Sequence, residues 1–349
     1  MEVVRHLAPD AWRAELKAFG PAAEDGYFQP DYHHLHEANG DGRASAWLVR
    51  DGSRRLLVIG LQVPISVTNA KDGWDLQSCN GYGGPLATDD ADPDFLNAAW
   101  AAWSRAAAEE DCVAGFFRLH PLLNNRRWLP GFAALRDDRS TVFVPLADGL
   151  GVAWGTADVR HRNPVSRARR DGLSVRWNEA EDWREFAALY GRAMDRAAAA
   201  QALRFSSAYF AALPALPGAA LATARIENRL VAGAVFLFGS VWAHYHLAAR
   251  ESDAPSTVAN LLIQAGLETA VNRGLSGMHL GGGRAPAADD SLLRFKRHVG
   301  GELRTFQVGL VVTNPGRYAD LNAAWTQQAG ARPTWLLGYR QPLVSHCKL

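Results

Sequence analysis

Lysine is scarce in this sequence: of 37 basic residues only Lys17, Lys71, Lys296 and Lys348 are lysines, and the rest are arginines. With alanine abundant, this bias is that of a GC-rich coding sequence before it is anything functional. Cysteine is scarce too. Cys79, Cys112 and Cys347 lie far apart and form no C-x-x-C pair, which argues against both a disulfide framework and a structural zinc site. No apolar run approaches the roughly 18 residues that cross a bilayer, and the opening "MEVVRHLAPD" has neither the basic start nor the apolar core of a secretory signal. The expectation is therefore a cytoplasmic protein with no membrane span. Excess charge of one sign is also missing: the formal net charge is +1, so any polyanionic partner must be met by a local patch.

What is present is a globular composition, 48% apolar and 21% charged, over 349 residues, enough for two domains with separate cores. Along the chain, apolar alternation predicts a strand over 3–7, helices after Pro9 and Pro30, and strands over 44–50, 55–67 and 75–80, the first two joined by the hairpin dipeptide Asp51-Gly52. A helix over 92–110, a strand over 113–119, a short helix and a strand over 141–145 follow. The same order then recurs. Strand 173–177, helices 180–196 and 206–213, strands 221–226, 230–238 and 241–248, helix 255–273, strand 277–280, helix 291–298 and strand 302–312 match the first half element for element. A repeat of about 150 residues is far longer than a solenoid unit and implies two homologous domains. We place them at 1–155 and 156–312, with 313–349, a helix and a strand at 335–337, packing back on the first.

Between the halves, Asn163 as N-cap, Pro164 at the first helical position and Gly172 past the end predict a short helix within a basic linker over 160–172. Arg160, Arg162, Arg167, Arg169 and Arg170 make this junction a basic patch, against the alternative of a solvated linker. Near the end stands "SLLRFKRHVGG", where Lys296 sits among Arg294, Phe295 and Arg297 ahead of a double glycine. It reads either as a point charge for an anion or as an exposed basic helix face.

This order of elements resembles the GNAT acyltransferase fold. Two such domains in tandem resemble the Fem (FemABX) transferases of bacterial cell-wall synthesis. The resemblance covers nearly the whole chain and is carried by "NGYGGP" (80–85), "FFRLHP" (116–121), "RHRNPVSRARRDG" (160–172), "YHLAA" (245–249) and "LLRFKRHVGG" (292–301). It implies an α/β (α+β) fold of two tandem GNAT-like domains with mixed central sheets. It also implies a monomer that takes an aminoacyl-tRNA as co-substrate and forms an amide with a primary amine, with no other cofactor and no metal. The acceptor class would be a small peptide, a natural product or a peptidoglycan precursor.

The resemblance assigns Lys296 and Tyr245 to catalysis, and His120 where relatives carry an acidic residue before the proline. It assigns the Phe295-Lys296 pair to the tRNA end, and the basic residues around it and in the linker, Arg294, Arg297, Arg160, Arg162, Arg167 and Arg170, are read as phosphate contacts beside that pair. Tyr82, Gly83, Arg118, His244, His246 and Gly282 are the candidates for the acceptor, against a strand-end surface arginine at 118, aromatic strand filling at 244 and 246 and a plain flexible turn at 282. Alternation on the strand puts His244 and His246 on one face and Tyr245 on the other. The triplet His33, His34 and His36 reads as surface histidines rather than a metal cluster.

Two other readings stay open. A CoA-dependent N-acyltransferase acting on a sugar amine or other small amine would need a glycine-rich turn whose amides bind pyrophosphate at a helix N-terminus. In the second half that place reads "RESDAP" (250–255), with no glycine and two carboxylates; in the first half "QSCNGYGGP" (77–85) keeps glycines at altered spacing. The third reading is a binding module that has lost its chemistry.

Overall fold

The computed structural model describes residues 1–66, 73–197, 200, 203–285, 287 and 289–343, and the chain forms two compact units. The first comprises 1–19, 41–137 and 307–349; the second comprises 20–40 and 138–306. In chain order the first unit starts with β1 (Glu2–Val4) and α1 (Pro9–Leu16). After α2 (Pro30–Asn39), which belongs to the second unit, come β2 (Arg43–Asp51), β3 (Arg54–Pro64), β4 (Trp74–Gln77), β5 (Leu86–Ala87), α3 (Pro93–Ala108), β6 (Cys112–Arg118) and the start of β7 (Ala134–Pro145). The second unit adds α4 (Leu150–Thr156), α5 (Val159–Arg170), β8 (Val175–Trp177), α6 (Ala180–Arg196), α7 (Ser207–Ala212), β9 (Ala219–Ile226), β10 (Arg229–Phe238) and β11 (Trp242–Arg250). Then follow α8 (Val258–Asn272), β12 (Gly277–Gly282), α9 (Ser291–Arg297), β13 (Glu302–Val312) and, back in the first unit, α10 (Pro315–Ala329).

Local sequence explains the long helices. In α3, Asp92 accepts the Phe95 N–H and Pro93 opens the first turn, while Phe95, Leu96, Ala99, Trp100 and Trp103 recur at helical spacing and are buried. Trp100 and Trp103 meet edge to face at 5.2 Å, and Phe117 of β6 lies 5.8 Å from Trp100. Rings in this arrangement contribute roughly 0.5–1.5 kcal/mol per pair beyond their burial. In the second unit, α8 packs Val258, Leu262 and Ile263 on Phe236 and the alanines of β9 and β10. Gly266 admits the Phe236 ring, since a Cβ there would lie 2.2 Å from it.

Within each unit the strands follow the same plan. In the first unit the order is β1-β2-β3-β4-β6-β13, with β5 beside β3; all neighbours are antiparallel except the parallel pair β4 and β6. In the second it is β8-β9-β10-β11-β12-β7, again antiparallel except for β11 and β12. The sixth strand in each unit's order therefore comes from the other repeat's sequence: Val308–Val312 pair with β6, and Thr141–Pro145 pair with β12. Sequence boundaries at 155 and 312 thus differ from the compact units. Two strands of equal pattern say nothing about which sheet each one joins, and 20–40 also leaves the first unit.

Other expectations change as well. Helix α5 starts at Val159, with Asp158 as its N-cap accepting the Arg160 N–H at 2.8 Å, so Asn163 is not the cap and Pro164 lies inside the helix. His161, Val165 and Ala168 face inward, and His161 bonds Asn260 of α8 at 3.0 Å, which holds the helix down despite the proline. Residues 335–337 are not a strand; Leu337 and Tyr339 instead pack with Leu321 and Trp325 of α10 against Val113, Ala114 and Leu310. His33 and His36 are buried, and burial pushes the His33 pKa down to about 3, so the surface reading holds only for His34. The expected strand end at 67, like Cys347, lies outside the described residues.

The double glycine after α9 is a structural requirement. Gly300 and Gly301 both have positive φ, +96° and +90°, and a Cβ on Gly301 would stand 2.3 Å from the Phe143 carbonyl oxygen. We expect Gly301→Ala to destabilise by at least about 2 kcal/mol, from backbone strain and this clash. Thermal melting should fall by several degrees; an unchanged transition would refute the assignment.

Candidate functional site

Strands β11 and β12 run parallel but pair over only three positions: Trp242 with Gly277, Ala243 with Met278, and His244 with His279. Beyond these each strand continues with its outer neighbour alone. The ladder of β10 and β11 shifts register between Val235 and Phe236, and that of β12 and β7 shifts between His279 and Gly281. Irregularities of this kind bend strands, and two of them on the outer ladders split the sheet open past His244 and His279.

Lys296 lies at this split. Asp290 caps α9, its two carboxylate oxygens accepting four backbone N–H groups: Leu292 and Leu293 at 2.9 Å, Arg284 at 3.1 Å and Ala285 at 3.3 Å. These bonds hold its pKa below the usual carboxylate range and tie the loop after β12 to the helix. The cap turns Leu293, Lys296 and Val299 inward, so Lys296 does not share the exposed face of Arg294 and Arg297 as the sequence suggested. Only 7% of Lys296 is exposed; Nζ donates to the Gly282 carbonyl at 2.8 Å and stands 5.9 Å from the centre of the Tyr245 ring. Burial pushes its pKa down to about 7, opposed by the Asp290 charge. Half-buried Tyr245 packs on Phe236 at 5.6 Å, and desolvation raises its phenol pKa, so it stays protonated at neutral pH.

On the other face of β11 stand His244 and His246, as strand alternation requires. Both rings pack against Tyr27, at 4.7 and 6.0 Å between centroids. The Nε2 of His244 lies 2.6 Å from Asp25 Oδ2, and Asp25 Oδ1 accepts the Tyr27 N–H at 3.0 Å. His246 bonds the hydroxyls of Tyr27 and Tyr209 at 3.2 and 2.9 Å, and burial drives its pKa down to about 3. It is a neutral hydrogen-bonding ring over the whole working range. Sequence reasoning missed Asp25, since "EDGYF" is a plain turn until the fold lays it under β11.

The remaining predicted residues belong to the first unit. There the loop after β4 returns to the sheet: Gly83 donates to the Arg118 carbonyl at 2.7 Å and accepts from the His120 N–H at 3.1 Å. Asn125 fixes this turn, donating to Gly83 O at 2.7 Å and accepting from His120 N–H at 3.1 Å. The loop thus closes the place that the second unit leaves split. Tyr82 packs 6.1 Å from the His120 ring, and the Arg118 guanidinium lies 5.9 Å from Phe116. His120 is buried, and its Nδ1 accepts the Leu122 N–H at 3.3 Å, which engages the lone pair a base would use.

Neither unit offers a glycine-rich turn at the helix after its fourth strand. The glycines of 77–85 are not at the N-terminus of α3; that place reads "TDDADP" (88–93), where Asp92 caps the helix. Before α8, Glu251 is held by Arg192 and Arg196, Asp253 by Arg229, and Pro255 removes one backbone donor.

The arginines of α5 lie outward. Arg160 pairs with Asp158, Arg167 with Asp171 and Arg169 with Glu268, all partly exposed, while Arg170 is exposed and Arg162 half-buried. The Asp158 N–H donates to the His298 carbonyl at 2.9 Å, which joins the start of α5 to the end of α9 and makes their basic residues one stretch. Among the described residues no helix is long and apolar enough to cross a membrane.

No protein-family model matches the chain, and no curated protein sequence matches it. Solved structures do resemble it. FemX superposes with a TM-score of 0.68 at 14% identity, over 91% of this chain and 99% of that one. The C-terminal (DUF2156) domain of a putative lysylphosphatidylglycerol synthetase from Agrobacterium fabrum gives 0.57 at 14% identity, over 91% and 97%. A tandem GNAT protein from the clavulanic acid biosynthesis pathway gives 0.50 at 13% identity, over 90% and 99%. The chain thus has the mixed α/β fold of tandem GNAT-like domains.

Proposed function

We propose that this protein is an aminoacyltransferase that moves the aminoacyl group of an aminoacyl-tRNA onto a primary amine of a peptide-like, natural-product or peptidoglycan-precursor acceptor. The observation that carries this reading is the buried lysine at the split of β11 and β12, in a unit whose preceding turn lacks the glycines that pyrophosphate binding uses. FemX and the lysylphosphatidylglycerol synthetase domain, whose folds it shares, support the same class.

In this reading the ester carbonyl of the donor enters the split. The amine adds to the carbonyl carbon, and the developing oxyanion is stabilised by the Lys296 ammonium, a donor already fixed by Gly282. The carbon–nitrogen bond forms, the bond to the ribose oxygen breaks, and the amine proton ends on that oxygen; the ester is already activated, so no ATP is consumed. Tyr245, a neutral phenol beside Lys296, positions the reacting groups as a hydrogen-bond donor. We assign Arg294, Arg297 and the α5 arginines to tRNA phosphates. Their existing ion pairs are exposed and weak, so phosphate displaces them readily.

The test is transfer of label from a mixed aminoacyl-tRNA pool to candidate amines, with acetyl-CoA as the rival donor. Label appearing in an amide only with charged tRNA supports the reading; acetyl transfer alone replaces it with the CoA-dependent reading, and neither activity points to a binding module. With charged tRNA, kcat/KM is expected to fall steeply between 50 and 200 mM salt as bound phosphates release counterions, by about tenfold or more. A flat salt profile would remove the arginine stretch from the RNA interface.

A further inference from the structure

The Lys296 ammonium is buried and its bonded partner, the Gly282 carbonyl, is neutral, so transfer needs a further group to fix that carbonyl and to face the ammonium with opposite charge. The backbone just past Gly282 shows which one. From Gly282 to Ala285 the chain leaves β12 at the split and is gripped by three charged side chains. Nζ of Lys296 donates to Gly282 O at 2.8 Å, Arg139 Nη1 donates to the carbonyls of Gly283 and Arg284, each at 3.2 Å, and Asp290 Oδ2 accepts the N–H groups of Arg284 and Ala285 at 3.1 and 3.3 Å. Arg139 lies on β7, and Asp138 beside it holds its Nε. Gly283 has no room for a side chain, because a Cβ there would run into Asp290 Oδ1.

Asp290 works in two directions. While Oδ2 holds the loop, Oδ1 accepts from the N–H groups of Leu292 and Leu293, both at 2.9 Å, in the first turn of α9. One carboxylate thus joins the strand end that carries Gly282 to the helix that carries Lys296.

We infer that Asp290 is the positioning residue of Lys296: it clamps the loop to the helix so that Gly282 meets Nζ, and its carboxylate is the counter-charge of the buried ammonium, with Arg139 holding the same loop by its carbonyls. This rests on the transfer reading above, in which that ammonium meets the oxyanion. The other groups around Lys296 do not supply this charge. The Tyr245 phenol on β11 is neutral, Arg139 on β7 is itself a cation paired with Asp138, and Arg294 and Arg297 lie on the exposed face of α9. Burial disfavours the ammonium and Asp290 favours it. Removing the charge of the carboxylate therefore lowers the pH at which Lys296 gives up its proton.

The experiment follows Lys296 both directly and through the rate. The chain has four lysines, so ¹³Cε-lysine labelling of the full-length protein gives four signals, and the one missing from Lys296→Met is assigned. In the wild type its titration is expected at about pH 7, together with the alkaline limb of kcat. Asp290→Asn keeps an oxygen for the helix cap but no charge. Titration and limb should both move to lower pH. For transfer from mixed aminoacyl-tRNA to the best-accepted amine, kcat at pH 7 should fall about tenfold, with KM for the charged tRNA unchanged. Arg139→Ala frees the loop carbonyls without removing an anion near Lys296, so kcat should fall severalfold while the titration does not move to lower pH. A rate lowered equally at every pH in Asp290→Asn, with the Lys296 titration unmoved, would mean a helix cap alone and overturn the inference while leaving the transfer reading intact. A wild-type kcat in Arg139→Ala would overturn the clamp. No label from any charged tRNA overturns the transfer reading, and the titration then decides on Asp290 by itself. If Asp290→Asn does not fold, Asp290→Ser, whose hydroxyl also caps a helix, carries the same test.

Discussion

Lys296→Met is expected to stop transfer and to raise the melting temperature. The two effects have one cause, the burial of an ammonium group whose bonded partner is a neutral carbonyl, Gly282 O at 2.8 Å. Methionine is close in length and shape and carries no charge, so it fills the place of the lysine stem without leaving a cavity. Losing an oxyanion donor of this kind lowers kcat by about 10³-fold. Stability changes in the other direction. The folded-state pKa of about 7 lies below the ordinary lysine value of 10.5, so the unfolded chain binds more protons between these two values. The destabilisation due to Lys296 is therefore full below pH 7 and fades as pH rises towards 10.5. The melting-temperature gain of Lys296→Met should follow that course: constant below neutrality and vanishing in alkali. Activity has its own sign. The ammonium form is the one that stabilises the oxyanion, so wild-type kcat is expected to decline above about pH 7, a limb absent from the residual rate of the variant. A variant that transfers at the wild-type rate would return Lys296 to a packing role, and one that melts lower at pH 6 would refute the buried charge.

Much of the architecture could be read from the chain because it is written in short-range patterns. Period-two and period-3.6 runs gave the strands and helices, and the recurrence of their order gave two like units. What the order could not convey is partner choice between equal strands, so the exchange of β7 and β13 was invisible. The same limit applied to side chains. Lys296, one step from Phe295 and between two arginines, looked like part of a basic face; the Asp290 cap fixes the rotation of α9 and turns it inward. His33 and His36 looked exposed because polarity alone predicts exposure, yet aromatic neighbours such as Tyr32, 4.8 Å from His36, absorb them into the interior. Asp25 is the clearest case. Its importance comes from His244, 219 residues away, and no local pattern links the two.

Arg340→Ala is expected to unfold the first unit more readily than any surface arginine change. Asp75 of β4 is fully buried, and its carboxylate accepts the Tyr339 hydroxyl at 2.7 Å and the Arg340 Nε–H at 2.5 Å. Arg340 also donates to the carbonyls of Val63 and Pro64, at 2.7 and 3.2 Å, so one guanidinium ties the segment after α10 to both β3 and β4. Desolvation pushes the Asp75 pKa up and the Arg340 charge opposes this, which means the arginine is what keeps the buried carboxylate tolerable. Removing it leaves a buried charge without its cation, a loss of about 3–5 kcal/mol. For a unit of this size that is a fall of about 10 °C in melting temperature. Lysine in its place can hold one of these acceptors but not the spread of three, so Arg340→Lys should recover only part of the loss. The pH dependence separates charge from packing. Because the folded-state pKa of Asp75 is raised above its unfolded value, the native state is stabilised by protonation at low pH, and that stabilisation is lost as pH rises through the folded value. In Arg340→Ala this pKa rises further, so the gap between variant and wild type should narrow in acid and widen towards neutrality. Asp75→Asn combined with Arg340→Met removes both charges at once and should be milder than Arg340→Met alone. A double variant as unstable as the single one would show that the segment after α10 is held by Leu337 and Tyr339 packing rather than by the ion pair.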